Sequence, residues 1–210
     1  MKIIHLFDDL MNLYGDYGNV CGLRRTLEQK GESVQVVGMS IDDEFDFSDA
    51  DFIYIGSGTE LNQKVALLYL VQYRDRLKAA LDGSVPVLAT GNSFEMFGKS
   101  ITDCNGKTHD GLGFFDFTVT EGNERIVTDA KCECELCTDP LIGFINKASC
   151  IKGVATPLFR LSEGSGNDNT APDEGIVSGS FYGTHLIGPV LIRNPQLCEY
   201  FAGVTLNRKR

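Results

Sequence analysis

The 210-residue sequence predicts an α/β fold, a mainly parallel sheet with helices on both faces and further strands in the C-terminal half. Three observations carry that expectation. Short apolar runs at 2–7, 33–37, 51–55 and 85–90 read as strands, and helical patterns between them give a β-α-β-β-α-β order. A long helical pattern at 60–81 repeats Ala66, Leu70, Tyr73, Leu77 and Ala80 every three or four residues, one buried stripe. Past residue 110, strand-like segments follow one another with few helical stretches between them.

Each element has local punctuation. The stretch 9–19, rich in Asn, Asp and Gly, reads as a loop of functional length after the first strand. Asn19 is a favourable N-cap for a helix carrying Val20, Leu23 and Leu27, which Gly31 stops. Asp16 reads as a cap of the same helix, with contact to a ligand or partner as the other reading, since it lies beyond the carboxyl end of the first strand beside Asp8 and Asp9. Gly56-Ser57-Gly58 ends the third strand sharply, and Gly83 ends the long helix. In the second half, 114–120, 125–130, 131–136, 151–159 and 176–185 favour strands. The polar run 164–174 reads as an exposed loop, and 195–204 as a terminal helix with Pro195 in its first turn. No linker composition interrupts the chain, so residues 1–210 are expected to form one domain.

Composition narrows the function. Apolar residues make up 42% and charged residues 23%, ordinary values for a globular protein. A net charge of −10 repels phosphate backbones, which argues against nucleic-acid binding. No apolar run approaches a membrane span, and the first residues turn acidic too soon for a signal peptide, so a cytoplasmic protein without membrane insertion is expected. Seven cysteines without a repeated spacing read as reduced thiols. Among them, Cys132, Cys134 and Cys137 could gather thiolates, with Cys150 nearby in sequence. Their spacing is not the doubled C-x₂-C of structural zinc, and alternation with Glu133 and Glu135 fits a strand, so no metal is expected. Acidic Asp42, Asp43, Glu44 and Asp46 read as a solvated loop, His5 as a core residue of the first strand, and His109 as a loop residue with no evident partner.

The most informative stretch is Val85-Pro86-Val87-Leu88-Ala89-Thr90-Gly91-Asn92-Ser93-Phe94-Glu95-Met96-Phe97-Gly98. It reads as a buried strand, a tight turn and the start of a helix, the shape on which a nucleophile elbow raises a reactive side chain. Its corner residue, Gly91, carries no side chain. Asn92 and Ser93 read as caps of the following helix.

Together with Leu10–Asn19 near the start and Gly183–Pro195 near the end, this stretch resembles the CobB/CobQ-like class I glutamine amidotransferases, and within them the glutaminase subunit of lipid II isoglutaminyl synthase. The likeness spans nearly the whole chain in order. It implies a flavodoxin-like fold and glutamine hydrolysis that feeds ammonia to an ATP-dependent synthetase, a Mur-ligase-like subunit in the peptidoglycan case, with no cofactor. Cobalamin biosynthesis is the other pathway it implies. The chemistry needs a thiolate, a histidine that keeps it ionised, and backbone N–H donors for the oxyanion. By resemblance the thiolate belongs at Gly91 and the histidine at Ile187, so both reactive groups are replaced. Gly56, Gly58, Gln63, Asn92, Glu95 and Arg125 fall on the substrate and oxyanion pocket, whereas Thr59 and Glu60 depart from the pattern.

Losing both partners of one reaction is chemically coherent. The expected function is a glutamine amidotransferase-like subunit without its own glutaminase activity, a binding or regulatory module for a synthetase that retains room for glutamine or a related molecule. Two alternatives stand beside it: an active hydrolase with a relocated nucleophile, Ser93 with His185, and a stand-alone small-molecule binding protein.

Overall fold

The computed structural model describes residues 1–208. Its first half alternates as expected: β1 (Lys2–Leu6), α1 (Tyr17–Gln29), β2 (Gln35–Met39), β3 (Phe52–Ile55), α2 (Glu60–Leu70), α3 (Arg74–Asp82) and β4 (Val87–Thr90). A 3₁₀ turn over Gly91–Phe97 leads to β5 (Ser100–Thr102), β6 (Thr108–Asp110), β7 (Thr118–Glu133), β8 (Leu141–Lys152), β9 (Phe159–Glu163), β10 (Asp173–Glu174), β11 (Ile176–Ser178), β12 (Phe181–Thr184) and β13 (Leu186–Ile187). Two helices follow, α4 (Val190–Arg193) and α5 (Pro195–Asn207).

Six strands form one sheet in the order β11-β12-β4-β3-β1-β2, parallel except for the β11–β12 hairpin. Strand alternation sends Ile4, Ile53, Ile55, Val87 and Ala89 toward α2 and α3, where Ala66, Leu67, Leu70 and Leu77 meet them. Ile3, Phe52, Tyr54 and Leu88 face the other way, against Val20, Leu23, Leu27 and Phe201 of α1 and α5. Helices therefore cover both faces, as a parallel sheet requires. No described helix is long and apolar enough to cross a membrane.

The second sheet runs β10-β9-β7-β5-β6, with β8 paired to both β7 and β13. Here the structure corrects several sequence expectations. Segments 125–130 and 131–136 merge into the 16-residue β7, which also takes in the end of 114–120 and stops at Glu133. The 151–159 strand is replaced by β8, which ends at Lys152, and by β9, which starts at Phe159. The 176–185 segment folds back on itself as β11 and β12. Loop 164–174 is not uniformly exposed, since Asn167 and Glu174 are buried and Asp173–Glu174 pair with β9. The long helix tightens into a 3₁₀ turn at Val71–Tyr73, where Tyr69 and Tyr73 pack around Phe45 with centroids 5.2 and 4.8 Å away.

The β7–β8 register shifts between Glu121 and Ile126. This bulge lifts Arg125 out of the ladder and onto the rim described below. His109 gains a partner as well, with Nε2 3.2 Å from Asp103.

His5 on β1 is buried, and neither ring nitrogen has a hydrogen-bond partner. It packs on Tyr54 at 5.2 Å and Tyr17 at 6.0 Å. Burial pushes its pKa from 6.5 down to about 4. The folded protein thus refuses a proton that the unfolded chain accepts. Stability should fall as pH drops from 6.5 to 4, by about 3 kcal/mol from this residue. Urea titrations of His5→Phe are expected to lack that share of the slope, and an unchanged slope would refute the assignment.

Candidate functional site

β4 is flanked by β3 and β12 in the middle of the parallel sheet, and its carboxyl end delivers the chain to Gly91. Gly91 has φ +63°, the left-handed corner of an elbow. A Cβ added there would come well within 3.0 Å of Ser57 Cβ, closer than real Cβ atoms approach, and would lie 3.1 Å from Ile187 Cγ2. A side chain at position 91 would therefore meet Ile187. The space it would need is filled by Ser57 and the Ile187 side chain.

Ser57 is fixed in that position. Its hydroxyl donates to Asp16 Oδ2 at 2.8 Å, and Asp16 is fully buried. Asp16 stands at the N-cap position of α1, yet its side chain caps nothing; it also takes hydrogen bonds from Tyr54 and Thr90. Burial raises its pKa, and the Ser57, Tyr14 and Tyr54 hydrogen bonds moderate that rise. Asn19 is likewise not a cap. It sits inside α1, donating to Tyr54 Oη at 2.7 Å and accepting from Leu191 N–H at 2.8 Å.

The turn Gly56-Ser57-Gly58 packs against the loop after β1, where a Cβ on Gly56 or Gly58 would collide with Met11. The Gly58 N–H is already used. It donates to Asn92 Oδ1 at 3.1 Å, while Asn92 Nδ2 returns a hydrogen bond to Gly58 O at 3.0 Å. Gln63 holds the same corner by donating to Asn92 O at 2.6 Å and to Glu95 Oε2 at 2.7 Å.

Ser93 and His185 are not brought together. The Ser93 hydroxyl donates to Thr90 O at 2.8 Å and Ile55 O at 3.1 Å, so it neither caps the helical turn nor meets the imidazole. His185 lies between two buried carboxylates, with Nε2 3.1 Å from Glu95 Oε1 and Nδ1 3.4 Å from Glu174 Oε1. Ser149 Oγ also donates to Glu95 Oε1. Burial alone would raise the Glu95 carboxyl, but the His185 hydrogen bond and charge, with Ser149 and Gln63, hold it below its usual range. Glu174 accepts from Thr184 Oγ1 at 2.7 Å and from the His185 N–H at 2.6 Å. Buried Lys147, whose amine burial pushes down, donates to the carbonyls of Gly166 and Asn167.

Above this floor lies a pocket lined by Ser57, Gly58, Gly91, Asn92, Glu95 and Ile187, with Tyr14, Glu60 and Arg125 at its rim. The cavity measures about 20 Å³, enough for one or two water molecules and too little for an amino acid. Arg125 closes the mouth by pairing with Glu60 and donating to Asn146 Oδ1 at 3.0 Å; Asn146 in turn donates to Tyr14 Oη at 2.9 Å. Cys132 is buried and Cys134 and Cys137 are half-buried; among the described residues no three His, Cys, Asp or Glu side chains are grouped to hold a metal.

A family model described as the CobB/CobQ-like glutamine amidotransferase domain matches residues 2–195. The chain belongs to this family. Within the CobB/CobQ-like amidotransferases it is 28% identical over 209 residues to the lipid II isoglutaminyl synthase (glutamine-hydrolyzing) subunit GatD of Staphylococcus aureus, covering 100% of this chain and 86% of that one. It is 25% identical over 173 residues to a probable cobyric acid synthase of Methanosphaera stadtmanae, covering 75% of this chain and 34% of that protein. Among solved structures, PurLQS from Thermotoga maritima superposes with a TM-score of 0.68 at 11% identity, covering 100% of this chain and 99% of that one. A glutamine amidotransferase crystal structure gives 0.62 at 15% identity, covering 96% and 98%. These likenesses give the class I glutamine amidotransferase fold.

Sequence reasoning missed Ser57, Tyr14, Lys147, Ser149 and Glu174. Three of them lie on strands that the sequence pattern did not disclose. Lys147 and Ser149 occupy inward positions of β8, and Glu174 ends the run taken for loop, so polar residues in buried strand positions hid the strands themselves.

Proposed function

We propose that this chain is a glutamine amidotransferase-like subunit, of lipid II isoglutaminyl or cobyric acid synthase type, that has no glutaminase activity of its own and serves an ATP-dependent synthetase as a binding or regulatory module. One observation carries the reading: Ser57 fills the space that a side chain on Gly91 would need. Ile187 in place of a base, and the Gly58 N–H turned to Asn92, support it independently. The pocket thus lacks nucleophile and base together, with the Gly58 N–H held by Asn92, and each loss makes the others harmless. The relative from Staphylococcus aureus is named as a subunit, which supports a synthetase partner.

The reading with a relocated nucleophile gains little. Ser93 is turned toward carbonyls, and Ser149, 3.4 Å from His185 Nε2, gives its proton to Glu95 beneath the pocket. A glutaminase assay on the purified protein, alone and with the Mur-ligase-like synthetase of the same organism, is expected to give no ammonia above background. Robust hydrolysis that disappears in Ser93→Ala or Ser149→Ala would defeat the proposal.

A further inference from the structure

Helix α2 has two apolar faces. Gln63, Ala66, Leu67 and Leu70 form the buried one. On the opposite side, Leu61, Val65 and Leu68 follow at spacings of four and three, which aligns them along one stripe. Leu61 is 72% and Leu68 74% exposed. Single exposed leucines need no explanation, but the solvent face of a surface helix is ordinarily polar, and three apolar side chains in one row there are not scatter. The stripe begins one residue after Glu60, at the mouth of the pocket.

The surroundings of the stripe say what kind of surface covers it. The acidic loop Asp42-Asp43-Glu44 is fastened to this helical layer: Tyr69 Oη donates to Asp43 O at 2.5 Å, and Arg76 pairs with Glu44 at 3.0 Å. Asp75, at the start of α3, adds a further carboxylate, paired with Arg74 at 3.5 Å. The nearby cations are spoken for, Lys64 by Glu121, Arg74 by Asp75 and Arg76 by Glu44, which leaves Asp42 and Asp43, among the described residues, as the unopposed charges of the border. An apolar stripe with an acidic border therefore remains on a chain of net charge −10. A second copy would set acidic border against acidic border, which costs affinity and slows encounter.

We infer that the outer face of α2 docks a protein partner whose contact surface is apolar at its centre and basic at its edge. The inference rests on the reading of this chain as a subunit and identifies the surface through which it joins the synthetase. The Leu61 and Leu68 side chains are the anchors, and the 42–44 loop supplies charge complementarity.

The test uses the full chain and the purified Mur-ligase-like synthetase of the same organism, with Kd measured by calorimetry. Leu61→Glu with Leu68→Glu should leave the thermal midpoint unchanged, because neither side chain is in the core. The double substitution should weaken binding about 100-fold, and wild-type affinity should fall as salt rises. Wild-type binding that the double variant retains would overturn the docking surface while leaving the subunit reading intact. No wild-type binding would remove the subunit reading, and this inference with it. Sedimentation of the wild type alone as a dimer that the double variant dissociates would instead make a second copy the occupant.

Discussion

Gly91→Cys combined with Ile187→His is expected to yield no glutaminase, and a protein less stable than its parent; only the further change Ser57→Gly should make the site permissive. The reason is steric before it is chemical. Residue 91 sits at φ +63°, where a non-glycine residue costs about 1–2 kcal/mol. The new Cβ would also overlap Ser57 Cβ, which is tied to the backbone of a rigid turn and cannot swing aside. Overpacking of this kind costs about 1–3 kcal/mol. Ser57→Gly removes the overlap but gives up the hydrogen bond to Asp16. The two substitutions should therefore be strongly non-additive. A double-mutant cycle on Gly91→Cys and Ser57→Gly is expected to show favourable coupling of about 1–3 kcal/mol. Additive effects would mean that Ser57 does not block the elbow. Chemistry demands a further step, since the Gly58 N–H is held by Asn92 Oδ1. Asn92→Gly frees that donor. Ammonia release should thus appear only in the variant carrying all four changes, and activity in the simple Gly91→Cys, Ile187→His pair would show that the scaffold had never closed.

The same residues mark where sequence reading succeeded and where it stopped. The first half of the fold was legible because each strand and helix announces itself by period: apolar runs such as Phe52–Ile55, and helical stripes such as Val20, Leu23 and Leu27. The elbow was legible because a strand, a glycine and a helical turn succeed one another within a dozen residues. The rest depends on contacts between distant segments. Nothing local says that Ser57 reaches into the space above Gly91, since that follows from β3 and β4 being neighbours in the sheet. β8 went unread because Gly143, Lys147 and Ser149 interrupt its inward row of Leu141, Ile145 and Ile151 while Ile142 and Phe144 stand in its outward row, which blurs the alternation of an ordinary half-buried strand. Those inward polar residues are satisfied only by Glu95, His185 and the carbonyls of Gly166 and Asn167, all far away in sequence. Asp16 and Asn19 were misread for the same reason: a side chain that looks like a local cap is spent on Tyr54, Ser57 and Leu191.

His185→Leu is expected to cost about 1–3 kcal/mol at pH 7.5, the range for leaving a buried acceptor without its hydrogen-bond partner. The cost comes from what remains. Glu95 and Glu174 are both buried, and the imidazole is the group placed between them. Without it, burial dominates at Glu95, and the influence that now holds its carboxyl below the usual range is lost. The pH dependence follows by sign. In the parent, Glu95 has a lowered pKa, so its contribution is present above the unfolded value and disappears as pH falls through the folded one. In the variant, a raised carboxyl pKa makes the ionised form the unfavourable one, so acidification from pH 7.5 toward 5 should relieve the strain. The stability deficit of His185→Leu relative to the parent should therefore shrink at pH 5. Adding Glu95→Gln should recover part of the deficit at pH 7.5, because it leaves no charge to desolvate, while its single amide oxygen keeps one of the two hydrogen bonds that Ser149 and Gln63 give to the separate carboxylate oxygens. Guanidinium titrations of the three proteins at both pH values check all of this. A deficit below about 1 kcal/mol, or one that grows on acidification, would show that His185 is not what makes two carboxylates tolerable beneath the pocket.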